Sequence, residues 1–360
     1  MKVQEASLIK NIQPLYEKSM TEAKERIDNL VKPIGSLGKL EKIAIKLSGI
    51  TGELYNHITK KAVVIMCSDN GVCEEGVASA PQVVTATQTI NFIKGVTGVG
   101  VLARHNNCDL KVVDIGINEE INHSKLINCK IRKGTSNIAK GEAMTREEAL
   151  TAIGAGIDLV SKLKKEGYNL IGTGEMGIGN TTSSSSILIA LTGCSIDKAV
   201  GRGAGLTDEA FEKKKKVIKK ALEVNKPNSK DPLDVLHKVG GFDIAGLVGV
   251  YLGAAKYRMP VVIDGFISAI AALIAHRLNK VTKDFMFPSH ISMEKGYNLV
   301  LSELGLEPIL DLSMRLGEGS GCPLAFNIIE ASTKIMNEMA TFEEGNVDLD
   351  NYKGLWEEKI

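Results

Sequence analysis

The sequence predicts a three-layer α/β/α domain with a mostly parallel sheet, joined to a small helical domain made from both ends of the chain. Three observations carry that expectation. Short apolar runs that end in Gly or Asp recur through the middle of the chain. Apolar residues at helical spacing separate each run from the next, as in a buried parallel sheet. The stretches before residue 61 and after residue 302 are instead charged and helical in pattern.

Taken in order, residues 1–60 read as helices interrupted by Lys32-Pro-Ile-Gly-Ser-Leu-Gly38. Strands are expected at Lys61–Asp69, Leu110–Gly116, Asn169–Gly172 and Met259–Gly265. Strand, turn and helix repeated in this way define an α/β layered domain over residues 61–302, with 1–60 and 303–360 forming the helical domain. Ligands in such sheets bind outside the carboxyl ends of the strands, where Asp69, Gly116, Glu175 and Asp264 all fall. The small-residue helices Gly241–Ala255 and Ile267–Ala275 are expected to pack closely. Ser183 to Ser186 reads as a polar helix start.

Composition excludes several function classes. A net charge of +1 gives no global field for nucleic acid or an acidic membrane. The six cysteines are scattered, with no C-x-x-C pair, which argues for reduced thiols and against a zinc ribbon. The histidines are equally dispersed, so no metal site and no cofactor is expected. The first residues are polar and lack an apolar signal core, and the most apolar stretch, Pro260 to Ala275, is short and carries Asp264. A soluble, cytoplasmic protein acting on small molecules is the expectation.

Two glycine-flanked glutamates stand out: Glu175 in Gly172-Thr-Gly-Glu-Met-Gly-Ile-Gly-Asn-Thr-Thr182, and Glu318 in Arg315-Leu-Gly-Glu-Gly-Ser-Gly321. Glycine on both sides permits positive φ and close approach to a ligand, which suits a general base or a clamp on a hydroxyl-rich substrate. Ordinary turns bearing solvated acids are the plainer alternative. Gly172 to Gly177 also matches G-x-G-x-x-G, but Glu175 would set a negative charge against a pyrophosphate, and no acid-ended strand follows at the required distance. The segment fits better as a mononucleotide loop, with Gly177, Gly179, Asn180 and Thr181 leading into a helix whose free N–H groups hold one phosphate. A second glycine loop, Gly201-Arg-Gly-Ala-Gly205, precedes a lysine run. Asp208 there reads as a helix cap, the run as a solvated face, and Lys214 as a candidate phosphate contact.

These segments, with Lys32-Pro-Ile-Gly-Ser-Leu-Gly-Lys-Leu-Glu41, Ser68-Asp-Asn-Gly-Val72 and Ser289-His-Ile-Ser-Met-Glu294, closely resemble the nicotinate-nucleotide–dimethylbenzimidazole phosphoribosyltransferases over about residues 30 to 330. The resemblance implies an α/β domain with parallel strands, a helical domain from both termini, and a homodimer. It implies Glu318 as general base and Glu175 near the ribose. Gly177, Asn180, Thr181, Gly203, Lys214 and Ser292 correspond to the surroundings of the ribose phosphate, and Ala80, Gln88 and Met176 to positions lining the aromatic base. The chain departs from the common pattern at Asn70, Ala80 and Cys322; Asn70 and Ala80 are expected to border the base pocket.

The implied reaction moves phosphoribosyl from nicotinate mononucleotide to a benzimidazole nitrogen and releases nicotinate. The leaving pyridinium is already cationic, so only the acceptor N–H proton needs a base. Attack opposite nicotinate inverts C1′. No pyrophosphate leaves, so this logic requires no magnesium. Rival readings are a relative that glycosylates a phenol, a nicotinamide-dependent dehydrogenase, and a non-catalytic binding protein for the base or nucleotide.

Overall fold

The structure, a computed structural model, describes residues 8–203 and 205–347. Residues 1–7 and 348–360 of the expected terminal domain, and Ala204 of the second glycine loop, lie outside the described residues. The sheet is built from β1 (Lys61–Ser68), β2 (Cys108–Gly116), β3 (Ile127–Asn128), β4 (Leu170–Met176), β5 (Val261–Ile263) and β6 (Met286–Pro288). Their spatial order is β3-β2-β1-β4-β5-β6, and every pairing is parallel. This is a doubly wound order whose direction of winding reverses between β1 and β4, the place where such sheets open a crevice at their carboxyl ends.

Helices cover both faces. On β4, Thr173 Oγ1 lies 2.8 Å from Tyr251 OH on the helix Phe242–Lys256. Its neighbour Gly172 faces the other way, where a Cβ would come 2.5 Å from Cys322 Cβ in the helix Gly321–Glu338. Successive side chains of a strand point to opposite faces, so these two helices form the outer layers on either side. The small-residue helix does pack closely: a Cβ on Gly249 would fall 2.0 Å from Ile153 O in the helix Arg146–Lys165.

Three local readings need correction. The Gly172–Met176 segment is strand, paired with β1 along its length and with β5 at Gly172, rather than a loop after one. β3 and β6 add short edges that had no periodic signature, being too brief to show alternation. Ser183 to Ser186 are buried inside the helix Asn180–Thr192 instead of marking its polar start. The helices Glu17–Asp28 and Lys39–Thr51 meet the C-terminal helix around Ala23, Ile27, Leu30, Ala44 and Met336, while Phe326 and Ile329 of that same helix enter the main core. Among the described residues, no helix is long and apolar enough to cross a membrane.

Candidate active site

The Glu318 loop is backbone-strained. Gly317, Glu318 and Gly319 have φ of 80°, 62° and 88°, so the glutamate itself sits in the left-handed region between two glycines. A non-glycine residue held there costs about 1 kcal/mol or more and persists only when its surroundings fix it. They do. Gly319 N donates to Asp264 Oδ2 at 3.0 Å, and Gly321 N to Asp264 Oδ1 at 2.7 Å, where the C-terminal helix starts. The loop lies on β4 because Gly174 has no side chain; a Cβ there would come 2.5 Å from Glu318 O. Gly172 and Gly174 thus serve packing within the sheet, which accounts for the G-x-G-x-x-G match without a dinucleotide.

Glu318 is 9% exposed. Oε1 accepts from Gln88 Nε2 at 2.7 Å, while Oε2 is buried without a hydrogen-bond partner. Burial raises its pKa above the ordinary glutamate range, against the Gln88 amide and, less, the Val99 backbone N–H, which favour the ionised form. A carboxylate shifted towards neutrality is a stronger base when ionised.

Glu175, at the end of β4, accepts from the Glu318 backbone N–H at 3.4 Å through Oε1 and from Asn180 Nδ2 through Oε2. The same Asn180 nitrogen donates to Asp243 Oδ2 at 2.9 Å. Burial pushes both Glu175 and Asp243 up to about 7, with Asn180 opposing each shift. Asp264 is likewise driven up to about 8 by burial, against its two backbone donors.

The opposite end of the cavity is cationic. Lys214 is 1% exposed within an otherwise solvated lysine run, and its Nζ donates to Thr181 Oγ1 at 2.8 Å and Gly201 O at 3.3 Å. Burial lowers this ammonium to about 8, with Glu294 pulling it back up. Gly203 turns at φ 55°, and its Cβ would be 3.7 Å from Lys214 Nζ. The helix Asn180–Thr192 begins after Gly179 (φ 91°) with no side-chain cap; the Asn180 and Thr182 N–H groups donate to Gly177 O at 3.0 Å and Gly179 O at 2.9 Å, which leaves the Thr181 N–H at this helix start. Asp208 is the first residue of its helix, Asp208–Asn225, but the capping side chain is that of Thr207.

A cavity of about 380 Å³ joins these groups. Glu175, Gly177, Asn180, Thr181, Gly203, Lys214, Ser292 and Glu318 line it, together with Ala80, Gln88 and Met176. The catalytic, ribose–phosphate and base-pocket residues implied by the resemblance therefore line one cavity, whereas Asp69 and Gly116 are not among its lining residues. Asn70 differs from expectation: it is fully buried behind Gly177 and is not among the lining residues. Asp243 went unnoticed in the sequence because a first-turn acid of an apolar helix reads as ordinary end-capping. Among the described residues, no group of three or more His, Cys, Asp or Glu is arranged to hold a metal ion.

Comparison with known proteins yields one family. A family model described as phosphoribosyltransferase matches residues 12–347. The nicotinate-nucleotide–dimethylbenzimidazole phosphoribosyltransferase of Clostridium perfringens is 57% identical over 95% of this chain and 94% of its own length. The Clostridium acetobutylicum enzyme of the same description is 55% identical over 97% and 99%. The crystal structure of CobT from Thermus thermophilus aligns with a TM-score of 0.88 at 37% identity, over 92% of this chain and 99% of that one.

Proposed function

The chain belongs to the nicotinate-nucleotide–dimethylbenzimidazole phosphoribosyltransferase family, and from that premise we propose how its cavity performs the transfer. The protein is a phosphoribosyltransferase of cobalamin synthesis. It takes nicotinate mononucleotide as donor and 5,6-dimethylbenzimidazole or a related base as acceptor, giving α-ribazole 5′-phosphate and nicotinate.

One observation supports the mechanism above the others: Glu318 offers a buried carboxylate oxygen with no close hydrogen-bond partner, from a backbone conformation that costs energy to maintain. In the reading proposed here, that oxygen accepts the N–H proton of the acceptor as the ring's other nitrogen attacks C1′. The C1′–nicotinate bond breaks as the new C–N bond forms, its electron pair neutralising the pyridinium. No acid is needed. Attack from the opposite face inverts C1′ from β to α. Gln88 fixes the carboxylate, and Ala80 and Met176 flank the ring. Lys214, Thr181, Gly203 and Ser292, with the Thr181 N–H at the start of the helix Asn180–Thr192, receive the phosphate, and Glu175 and Asn180 the ribose. The chain's own groups supply positioning and one proton acceptor, which typically contributes roughly 10²–10⁴ fold.

The homodimer, the cytoplasmic location and the division into a helical domain (1–60 with 303–360) and an α/β domain (61–302) are part of the same proposal. Sedimentation of the purified chain tests the first. The deciding experiment incubates it with nicotinate mononucleotide and a panel of benzimidazoles and phenols, read by product mass. A benzimidazole riboside phosphate with free nicotinate is expected. A phenolic product alone would reassign the acceptor, and release of no nicotinate would refute the transfer.

A further inference from the structure

Asn70 is 0% exposed, and neither its Oδ1 nor its Nδ2 has a hydrogen-bond partner. Leaving a buried amide unpaired costs about 1–3 kcal/mol per group, so a fully buried asparagine calls for an explanation. Its neighbour supplies one. A Cβ on Gly241 would lie 2.6 Å from Asn70 Oδ1 and 2.4 Å from Asp243 Oδ1. A Cβ on Gly177 would lie 2.7 Å from Asn70 Nδ2 and 2.9 Å from Asp243 Oδ2. The carboxamide and the carboxyl group thus stand side by side between two glycines, and Asp243 Oδ1 also lacks a close partner, the backbone N–H groups of Asp243 and Ile244 favouring its ionised form less than Asn180 does. The main chain of Asn70 is tethered, its carbonyl accepting from Cys73 N at 3.1 Å and Gln82 Nε2 at 3.3 Å.

We propose that Asn70 is a positioning residue: it holds Asp243, which with Glu175 fixes the Asn180 amide and so steadies the carboxylate on which the Glu318 loop rests. A half-turn about χ2 exchanges the amide nitrogen and oxygen. With Asp243 ionised, Nδ2–H of Asn70 donates to Oδ1. With Asp243 protonated, its O–H donates to Asn70 Oδ1. One side chain therefore satisfies the acid in both states, which neither a carboxylate nor a purely donating group does. The titratable groups around the pair are Glu175 on β4, and Cys67 and Asp69 at the end of β1.

This inference rests on Glu318 acting as base, and the test separates the two. Full-length Asn70→Leu and Asn70→Ser are compared with the wild type and Glu318→Gln by kcat, KM and the pH dependence of kcat. In Asn70→Leu, kcat is expected to fall about tenfold to a hundredfold, as for one hydrogen bond to a charged group. KM for nicotinate mononucleotide stays within a few-fold, the acid limb of the profile moves, and Asn70→Ser recovers part of the loss. Unchanged kcat and profile in Asn70→Leu overturn the inference. So does lower thermal stability with an unmoved profile, which is a structural role only. If the leucine variant does not fold, the profile of Asn70→Ser alone decides, an unmoved acid limb counting against. A wild type that makes no product, or a fully active Glu318→Gln, refutes the base reading instead.

Discussion

The backbone N–H of Glu318 lies 3.4 Å from Oε1 of Glu175, so the two glutamates that stand out in the sequence are joined across the cavity floor. One is a strand-end carboxylate on β4; the other rides on a strained loop laid over the same strand. The acid that steadies the loop and the acid proposed as proton acceptor are therefore mechanically coupled, and their substitution should have different signatures.

Glu318→Gln keeps the shape and the contact with Gln88 but removes the proton acceptor. Turnover should fall by about 10²–10⁴. Binding of nicotinate mononucleotide, followed calorimetrically, should change little. Near-normal turnover would assign the base elsewhere.

Lys214→Ala removes a buried ammonium from the phosphate end and leaves Thr181 Oγ1 without its donor. KM for nicotinate mononucleotide should rise about tenfold or more, in line with a charge-assisted hydrogen bond of about 1.5–3 kcal/mol. With its pKa lowered to about 8, this lysine should also make the wild-type KM climb as alkaline pH strips its proton. A pH-independent KM with no effect of the substitution would return Lys214 to a structural role.

Glu175→Gln tests the electrostatic strain of the site. The folded-state pKa of Glu175 is raised to about 7 from the ordinary 4.5, so the folded chain binds this proton more tightly than the unfolded one. The stability it contributes is complete below the unfolded value and is lost as pH rises through about 7. Replacing it with a neutral amide should raise Tm more at pH ~8 than at pH ~5, by on the order of 1–3 kcal/mol in stability. Thermal melts at both pH values check the sign. An equal change at both would mean that the carboxylate carries no buried-charge penalty.

Gly174→Ala places a methyl group where the Glu318 carbonyl sits, at 2.5 Å. The loop must shift, and kcat should drop at least tenfold, since a displacement of about 1 Å near reacting groups can cost on the order of 10² fold. Wild-type kcat in this variant would show that the loop tolerates movement.

Much of this was legible beforehand, for reasons that differ by residue. β1, β2 and β5 are long or bounded enough that an apolar run ending in Gly or Asp betrays them. β4 is legible only to Gly172 because Gly172 and Gly174 look like loop residues, yet here glycine admits Cys322 and Glu318 from a covering segment. Lys214 is a candidate phosphate contact from its place after the second glycine loop, and the resemblance agrees, but nothing in a run of four lysines says which is buried. Asp243 and Asn70 act through partners distant in sequence, and local pattern carries no trace of such a contact. The left-handed φ of Glu318 is hidden for the same reason: Gly-Glu-Gly announces a bend, while the conformation of its middle residue is dictated by β4 and Asp264.

The bare surface of Gly174 moors the Glu318 loop to β4. Because the Glu318 loop is moored to the sheet, while Ala80 arrives from another stretch of chain and Lys214 from a third, the ring-facing wall at Ala80 can be recut without disturbing the proton acceptor, which Gln88 holds, or the sugar anchor. A lineage in need of a different aromatic nucleophile has that wall to vary, and the remaining machinery can stay as it is.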